Sequence, residues 1–246
     1  PFIRCFWGTL NPISTDFSSE HGLVIPDTCM DIIFNVDYKH NNCGGFFCTV
    51  DEKSYLTTSG ACEKSGTATF AIRFYAWTAI LFSETDFRNS KNSHFSVDEF
   101  FSALKSHLEP LLFDVPTLRG KIEIAENFLL KNLHTERINS DLMNALYFML
   151  SSCGRVRISD IRDYTAVSEK QLERIFNYNM GISPKAFSSL LRYQLLWQEM
   201  VYSSNFNVLD AVEKYGYSDQ PHLLNDFKRK HLLTPKEAVE FACKNR

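Results

Sequence analysis

Ile158-Ser159-Asp160-Ile161-Arg162-Asp163-Tyr164-Thr165-Ala166-Val167-Ser168-Glu169-Lys170-Gln171-Leu172-Glu173-Arg174-Ile175-Phe176 sets the reading of this chain, because its design recurs downstream. The second copy is Val208-Leu209-Asp210-Ala211-Val212-Glu213-Lys214-Tyr215-Gly216-Tyr217-Ser218-Asp219-Gln220-Pro221-His222-Leu223-Leu224-Asn225-Asp226-Phe227. Each reads as a short helix, a tight turn and a serine that caps a second helix. Ser168 and Gln171 have capping-box spacing, and Gly216 suits a turn of positive φ. Leu172, Ile175 and Phe176 hold the first of these second helices to a core, as Leu223, Leu224 and Phe227 hold the other. The opposite faces then expose Lys170, Glu173, Arg174 and Asn177, and Gln220, His222, Asn225, Asp226 and Arg229. Polar groups on a helix face can meet base edges in a major groove, which is wide enough to admit a helix.

Around these segments the period stays helical. Helices are expected over 140–151, 158–165, 168–179, 184–203, 207–215, 219–230 and 235–243, with no strand signal among them. Ser183-Pro184 and Thr234-Pro235 each set a hydroxyl cap before a proline at the first helical position, and Gly181 ends a helix. Residues 136–246 are therefore expected to form an all-α domain.

Upstream the pattern changes. Runs rich in β-branched and aromatic residues at Phe2–Leu10, Gly22–Ile25, Asp31–Val36, Phe46–Val50 and Thr67–Leu81 read as strands. Polar clusters such as His40-Asn41-Asn42-Cys43-Gly44-Gly45 separate them, which suggests a small β-barrel or sandwich over 1–95. Between the two lies a helical connector, 96–135. Ser96 and Glu99 have capping-box spacing, Phe100, Phe101, Leu104, Leu108 and Leu111 follow at helical intervals, and Pro110 and Pro116 are expected to break the pattern. A second connector helix, Leu118 to Leu133, carries Ile122, Ala125, Phe128, Leu129 and Leu133 on one face. That stripe either packs on the barrel or dimerises. The fold class is α+β.

Charge divides along the same line. The net −3 of the 246 residues resolves into −6 over 1–116 and +3 over 117–246, so the basic half is the one suited to nucleic acid. No apolar run reaches the roughly 18 residues that cross a bilayer, and Pro1-Phe2-Ile3-Arg4 does not begin a signal peptide. Seven irregularly spaced cysteines, 5, 29, 43, 48, 62, 153 and 243, fit reduced thiols in a cytoplasmic protein better than a disulfide scaffold. His21 and His40 are too isolated to suggest a metal site, and no Cys-x-x-Cys, phosphate loop or nucleophile elbow is present. No catalytic residue, metal or cofactor is expected.

The ordered set Ser168…Leu172-Glu173-Arg174-Ile175-Phe176, Gly181-Ile182-Ser183-Pro184-Lys185, Arg192-Tyr193-Gln194, Asp210-Ala211…Gly216-Tyr217-Ser218-Asp219-Gln220-Pro221-His222…Phe227-Lys228-Arg229 and Leu233-Thr234-Pro235-Lys236-Glu237-Ala238 resembles the AraC/XylS family of transcription regulators. The resemblance implies a DNA-binding, bacterial-type regulator with two helix-turn-helix motifs joined rigidly by the helix over 184–203. By position, Lys170, Glu173 and Arg174 would face bases from the first motif, and Gln220, Pro221, His222 and Asn225 from the second. Ser168, Arg192, Lys228 and Arg229 would contact phosphates, which position without specifying. Departures from the family are Arg162 and Val212 where small residues are usual, Leu232 or Leu233 in place of a glycine, and Pro221, which forfeits one hydrogen-bonding contact.

Phe6-Trp7, Ile25-Pro26-Asp27-Thr28-Cys29-Met30-Asp31-Ile32-Ile33-Phe34 and Ala71-Ile72-Arg73-Phe74 resemble the N-terminal domain of one subgroup of these regulators. This implies an effector-sensing role for Trp7, Asp31, Arg73, Tyr75 and Trp77; the competing reading makes these aromatics core. Double-stranded DNA, RNA polymerase, a small-molecule effector and a second copy of the chain are the implied partners, with no membrane. The rival reading from another class is a protein-interaction module whose degenerate motifs no longer bind DNA.

Overall fold

The computed structural model describes residues 2–9, 22–57, 67–203 and 205–244. Pro1, Leu10, His21 and Cys62, named above, lie outside them. The N-terminal half is built on a five-stranded antiparallel sheet in the order β1 (Ile3–Thr9), β6 (Thr67–Tyr75), β3 (Cys29–Asp37), β4 (Asn42–Cys48), β7 (His94–Ser96). A two-stranded sheet pairs β2 (Gly22–Val24) with β5 (Tyr55–Thr57). Among the described residues nine α-helices follow, and the fold is α+β as expected.

Alternation makes the sheet two-faced. Met30, Ile32, Phe34 and Val36 of β3 and Phe70, Ile72 and Phe74 of β6 are fully buried on one face. Onto it pack α1 (Asp98–Asp114), through Phe101, Leu104, Leu108 and Leu112, and α2 (Leu118–Lys131), through Ala125 and Leu129. Phe47 and Phe101 meet edge-on at 4.9 Å. The connector stripe therefore packs on the sheet.

Three local expectations need correction. Pro110 does not break α1, which runs on to Asp114; the helix stops before Val115-Pro116, where the proline forces Val115 into extended backbone (φ −101, ψ 106). Asn42–Gly45 is strand, not separator. Gly45 pairs with Phe34, and a Cβ there would lie 3.0 Å from the Phe34 ring, so the glycine admits a large aromatic opposite it. The run Thr67–Leu81 is a strand only to Tyr75, with a 3-10 turn at Ala79–Leu81. The three-residue strands β5 and β7 were not anticipated from the sequence.

The C-terminal half follows its caps closely: α3 (Ser140–Ser151), α4 (Ile158–Thr165), α5 (Glu169–Met180), α6 (Pro184–Tyr202), α7 (Val208–Tyr215), α8 (Gln220–His231) and α9 (Pro235–Lys244). Leu232 resolves the missing glycine: it closes α8 in left-handed backbone, φ +67, with its side chain exposed. A non-glycine residue is strained there by roughly 1–2 kcal/mol. Leu232→Gly is expected to raise stability by up to about 1 kcal/mol after the entropy glycine loses on folding. A higher urea midpoint is the readout, and an unchanged or lower midpoint would show that the exposed Leu232 side chain stabilises in its own right.

Candidate nucleic-acid interface

Two helix pairs, α4–α5 and α7–α8, are strung on the continuous 19-residue helix α6. In the first, Ser168 caps α5, its hydroxyl accepting from Gln171 N at 3.3 Å. Leu172, Ile175 and Phe176 are buried, while Lys170, Glu173 and Arg174 are exposed and Asn177 half-buried. In the second, the cap is Asp219 and not Ser218: its carboxylate accepts from His222 N at 2.8 Å, because α8 starts at Gln220. Gly216 closes α7 at φ +67 with the Arg155 side chain against it, and the Arg155 guanidinium donates to Glu213 O at 3.0 Å. Its charge thus sits at the negative end of α7.

Gln220, Pro221, His222 and Asn225 are exposed along α8. The His222 Nδ1 lies 3.1 Å from Ser218 Oγ, and its ring stands edge-on to Tyr217 at 5.3 Å, so Nε2 is the atom available to a base edge. Asp226 does not join this face. It is 4% exposed and turned inward, accepting from Lys230 Nζ at 2.6 Å, from Tyr217 OH at 3.0 Å and from Arg229. Burial alone would raise its carboxyl, but these donors and the Lys230 charge hold it below the usual carboxylate range. Helical spacing put Asp226 one position from Asn225, and the inward turn follows from Lys230 and Tyr217, which periodicity does not reveal. Lys228 and Arg229 are exposed, Ser168 likewise, and Arg192 is half-buried with its guanidinium 4.5 Å over the Tyr217 ring.

The sheet-bearing half reaches each part of this assembly. Phe87 N donates to Tyr178 O of α5 at 3.0 Å, Ser54 N to Lys230 O of α8 at 2.6 Å, and Thr28 Oγ1 to Gln194 Oε1 of α6 at 2.9 Å. Beside α5 a cleft of about 550 Å³ is lined by Asn89, Lys91, Glu173, Arg174, Asn177, Gly181, Ile182 and Ser183.

The residues singled out for effector sensing separate. On the face of the sheet away from α1, Trp7 Nε1 donates to Asp31 Oδ1 at 3.2 Å, and Arg73 pairs with Asp27 at 2.6 Å and Asp31 at 3.5 Å. Burial raises the Asp31 carboxyl against the pull of Arg73, and the Arg73 Nε is buried without a partner. Tyr75 and Trp77 stack at 4.9 Å, but Trp77 turns to Phe187 of α6. Sequence reasoning missed Asp27, which its place in a Pro-Asp turn does not distinguish from an ordinary turn residue. Cys29 and Cys48 line the same region as thiols that burial pushes up to about 12, and burial pushes Cys43 up to about 11; none of the three is a ready thiolate. Among the described residues no helix is long and apolar enough to cross a membrane.

A family model described as a helix-turn-helix domain matches residues 162–240. No curated protein matches the chain. Among solved structures, a transcriptional regulator with an AraC-type DNA-binding domain from Chromobacterium violaceum is 26% identical, over 41% of this chain and 89% of that one, with a TM-score of 0.37. A probable AraC family regulator from Rhodopseudomonas palustris CGA009 is 20% identical over 42% and 98%, TM-score 0.37. ToxT from Vibrio cholerae is 11% identical over 95% and 97%, TM-score 0.48. Taken with the two capped helix pairs, the match makes the segment 162–240 a helix-turn-helix domain.

Proposed function

We propose that this chain is a cytoplasmic, sequence-specific regulator that reads two successive major-groove segments of a promoter and answers to a signal received by its N-terminal half. The observation that carries the first part is the pair of exposed polar faces on α5 and α8, held by one unbroken helix. Lys170, Glu173 and Arg174 read bases from α5, and Gln220, Pro221, His222 and Asn225 from α8. Ser168, Arg192, Lys228 and Arg229 contact phosphates, Arg192 after leaving Tyr217. RNA polymerase is the downstream partner. The working division is a sensing domain over 1–95, a connector over 96–135 and a DNA-binding domain over 136–246.

The signal route is supported by adjacency in sequence. Asp27 holds Arg73, and the next residue, Thr28, holds Gln194 in the middle of α6. An effector that engages Arg73 competes with Asp27 for the guanidinium and so pulls on α6 through Thr28. The Tyr75–Trp77 stack against Phe187 makes a second, apolar path to the same helix.

Selection of bound fragments from a genomic DNA library across a salt series tests the reading. One bipartite motif is expected, with log K falling against log salt at about −0.9 per phosphate neutralised. Arg174→Ala and His222→Ala are each expected to lose about 1–3 kcal/mol of affinity for the selected site and to relax its sequence at one position. Unchanged recognition by both variants would show that α5 and α8 are not the reading helices.

A further inference from the structure

The cleft beside α5 is not walled by C-terminal helices alone. Asn89 and Lys91 of the sheet-bearing half line it together with residues of α5 and of the turn between α5 and α6. The loop that carries them is held in place. Asn89 N donates to Asn177 Oδ1 at 3.3 Å, Thr49 Oγ1 to Ser90 O at 2.6 Å, and Asn92 N to Val50 O at 3.0 Å. Asn89 and Asn92 turn the loop in left-handed backbone, φ 61 and 55, a conformation asparagine tolerates better than most residues. Lys91 is exposed, with its ammonium 2.9 Å from Glu52.

A helix lying in a major groove about 12 Å wide has a phosphodiester strand along each flank. On this flank of α5, the space such a strand needs is the cleft. We propose that the DNA backbone runs through it, so that Lys91 and the Asn89 side chain contact phosphates beside the segment that α5 reads. The inference rests on α5 being a reading helix. It makes the N-terminal half a direct contributor to DNA affinity.

The chemistry of the cleft fits a chain of phosphates. Lys91 and Arg174 both bring cations to its lining. Ser183, also in the lining, caps α6, whose first turn presents the positive end of a helix dipole. Glu52 and Glu173 are the opposing charges. Glu52 already holds the Lys91 ammonium at the rim, and an exposed pair of this kind is weak enough for a phosphate to displace. The same loop seen as a block to the groove wall makes the opposite prediction, because trimming it would then tighten binding.

The test uses the full chain and the DNA site that the wild type selects. Lys91→Ala is expected to weaken binding severalfold at low salt and to make the log–log salt slope shallower by about 0.9. The gap to wild type then shrinks about threefold between roughly 50 and 200 mM salt. Lys91→Arg keeps the cation and is expected to bind as wild type. Asn89→Gly, which preserves the backbone, is expected to weaken binding with the slope unchanged, and Lys131→Ala on α2, away from the cleft, to change nothing. Lys91→Ala with wild-type affinity and slope, or with tighter binding, overturns the proposal while leaving the reading helices standing. A wild type that selects no site, or an Arg174→Ala variant that binds as wild type, overturns the reading of α5 and this inference with it.

Discussion

Asp226→Ala is expected to destabilise the helical domain by about 3–5 kcal/mol, the usual cost of leaving a buried charge without its partner. Asp226 and Lys230 are 4% and 6% exposed, and after the substitution Lys230 Nζ keeps only the Ser189 hydroxyl at 2.9 Å. Tyr217 OH and the Arg229 guanidinium lose their acceptor as well. Urea unfolding followed by far-UV circular dichroism gives the number. The double variant Asp226→Leu/Lys230→Met is expected to recover most of the loss, since replacing both charges removes the desolvation cost that the pair itself carries. A single variant costing under about 1 kcal/mol would mean that water reaches Lys230 and that the pair is not buried in solution.

Acid is expected to weaken the fold through His231. This imidazole is 1% exposed, ringed by Trp197 at 4.5 Å and Phe227 at 4.9 Å, with the Tyr193 hydroxyl 2.6 Å from Nδ1. Burial depresses it from 6.5 to about 4. Its folded value lies below its unfolded value, so between these limits the unfolded chain binds the extra proton. Stability from this group is whole above about pH 6.5 and falls as pH drops, by about 1.4 kcal/mol per unit, until about pH 4. The accumulated loss is roughly 3 kcal/mol. His231→Gln keeps an acceptor for Tyr193 and cannot titrate. Its stability is therefore expected to vary less steeply with pH than the wild type over that window, with carboxylates contributing equally to both. Parallel curves would show that His231 protonates as freely when folded as when unfolded.

The helical half was legible because each helix there carries its own beginning. Ser168, Ser183 and Thr234 cap where their spacing said, and the apolar stripes of α5 and α8 separate the buried Leu172, Ile175, Phe176, Leu223 and Phe227 from exposed reading candidates. What failed there failed for non-local reasons. Asp226 looks like any polar residue on a helix until Tyr217 and Lys230 are folded against it. Ser218 and Asp219 are both good caps, and only the start of α8 chooses between them. In the sheet half, strand order could not be read at all: β1 pairs with β6, far along the chain, and the pairing depends on a shared apolar face. Asp27, Thr28, Ser54 and Phe87 matter because of what they touch across the molecule, and no local pattern encodes such contacts. The lining contributed by Asn89 and Lys91 is invisible for the same reason.

The attachments at Tyr178, Gln194 and Lys230 tie α5, α6 and α8 to three loops of the sheet-bearing half. Little give is then left between the two reading faces. One base pair inserted between the halves of a DNA site turns one half by roughly 35° relative to the other. A protein held at three points cannot follow, so the duplex has to twist or bend, at a cost of order 1–6 kcal/mol that depends on its sequence. Stiff and pliant spacers would then be told apart by this chain although no side chain touches them, and the unread bases become part of what it selects.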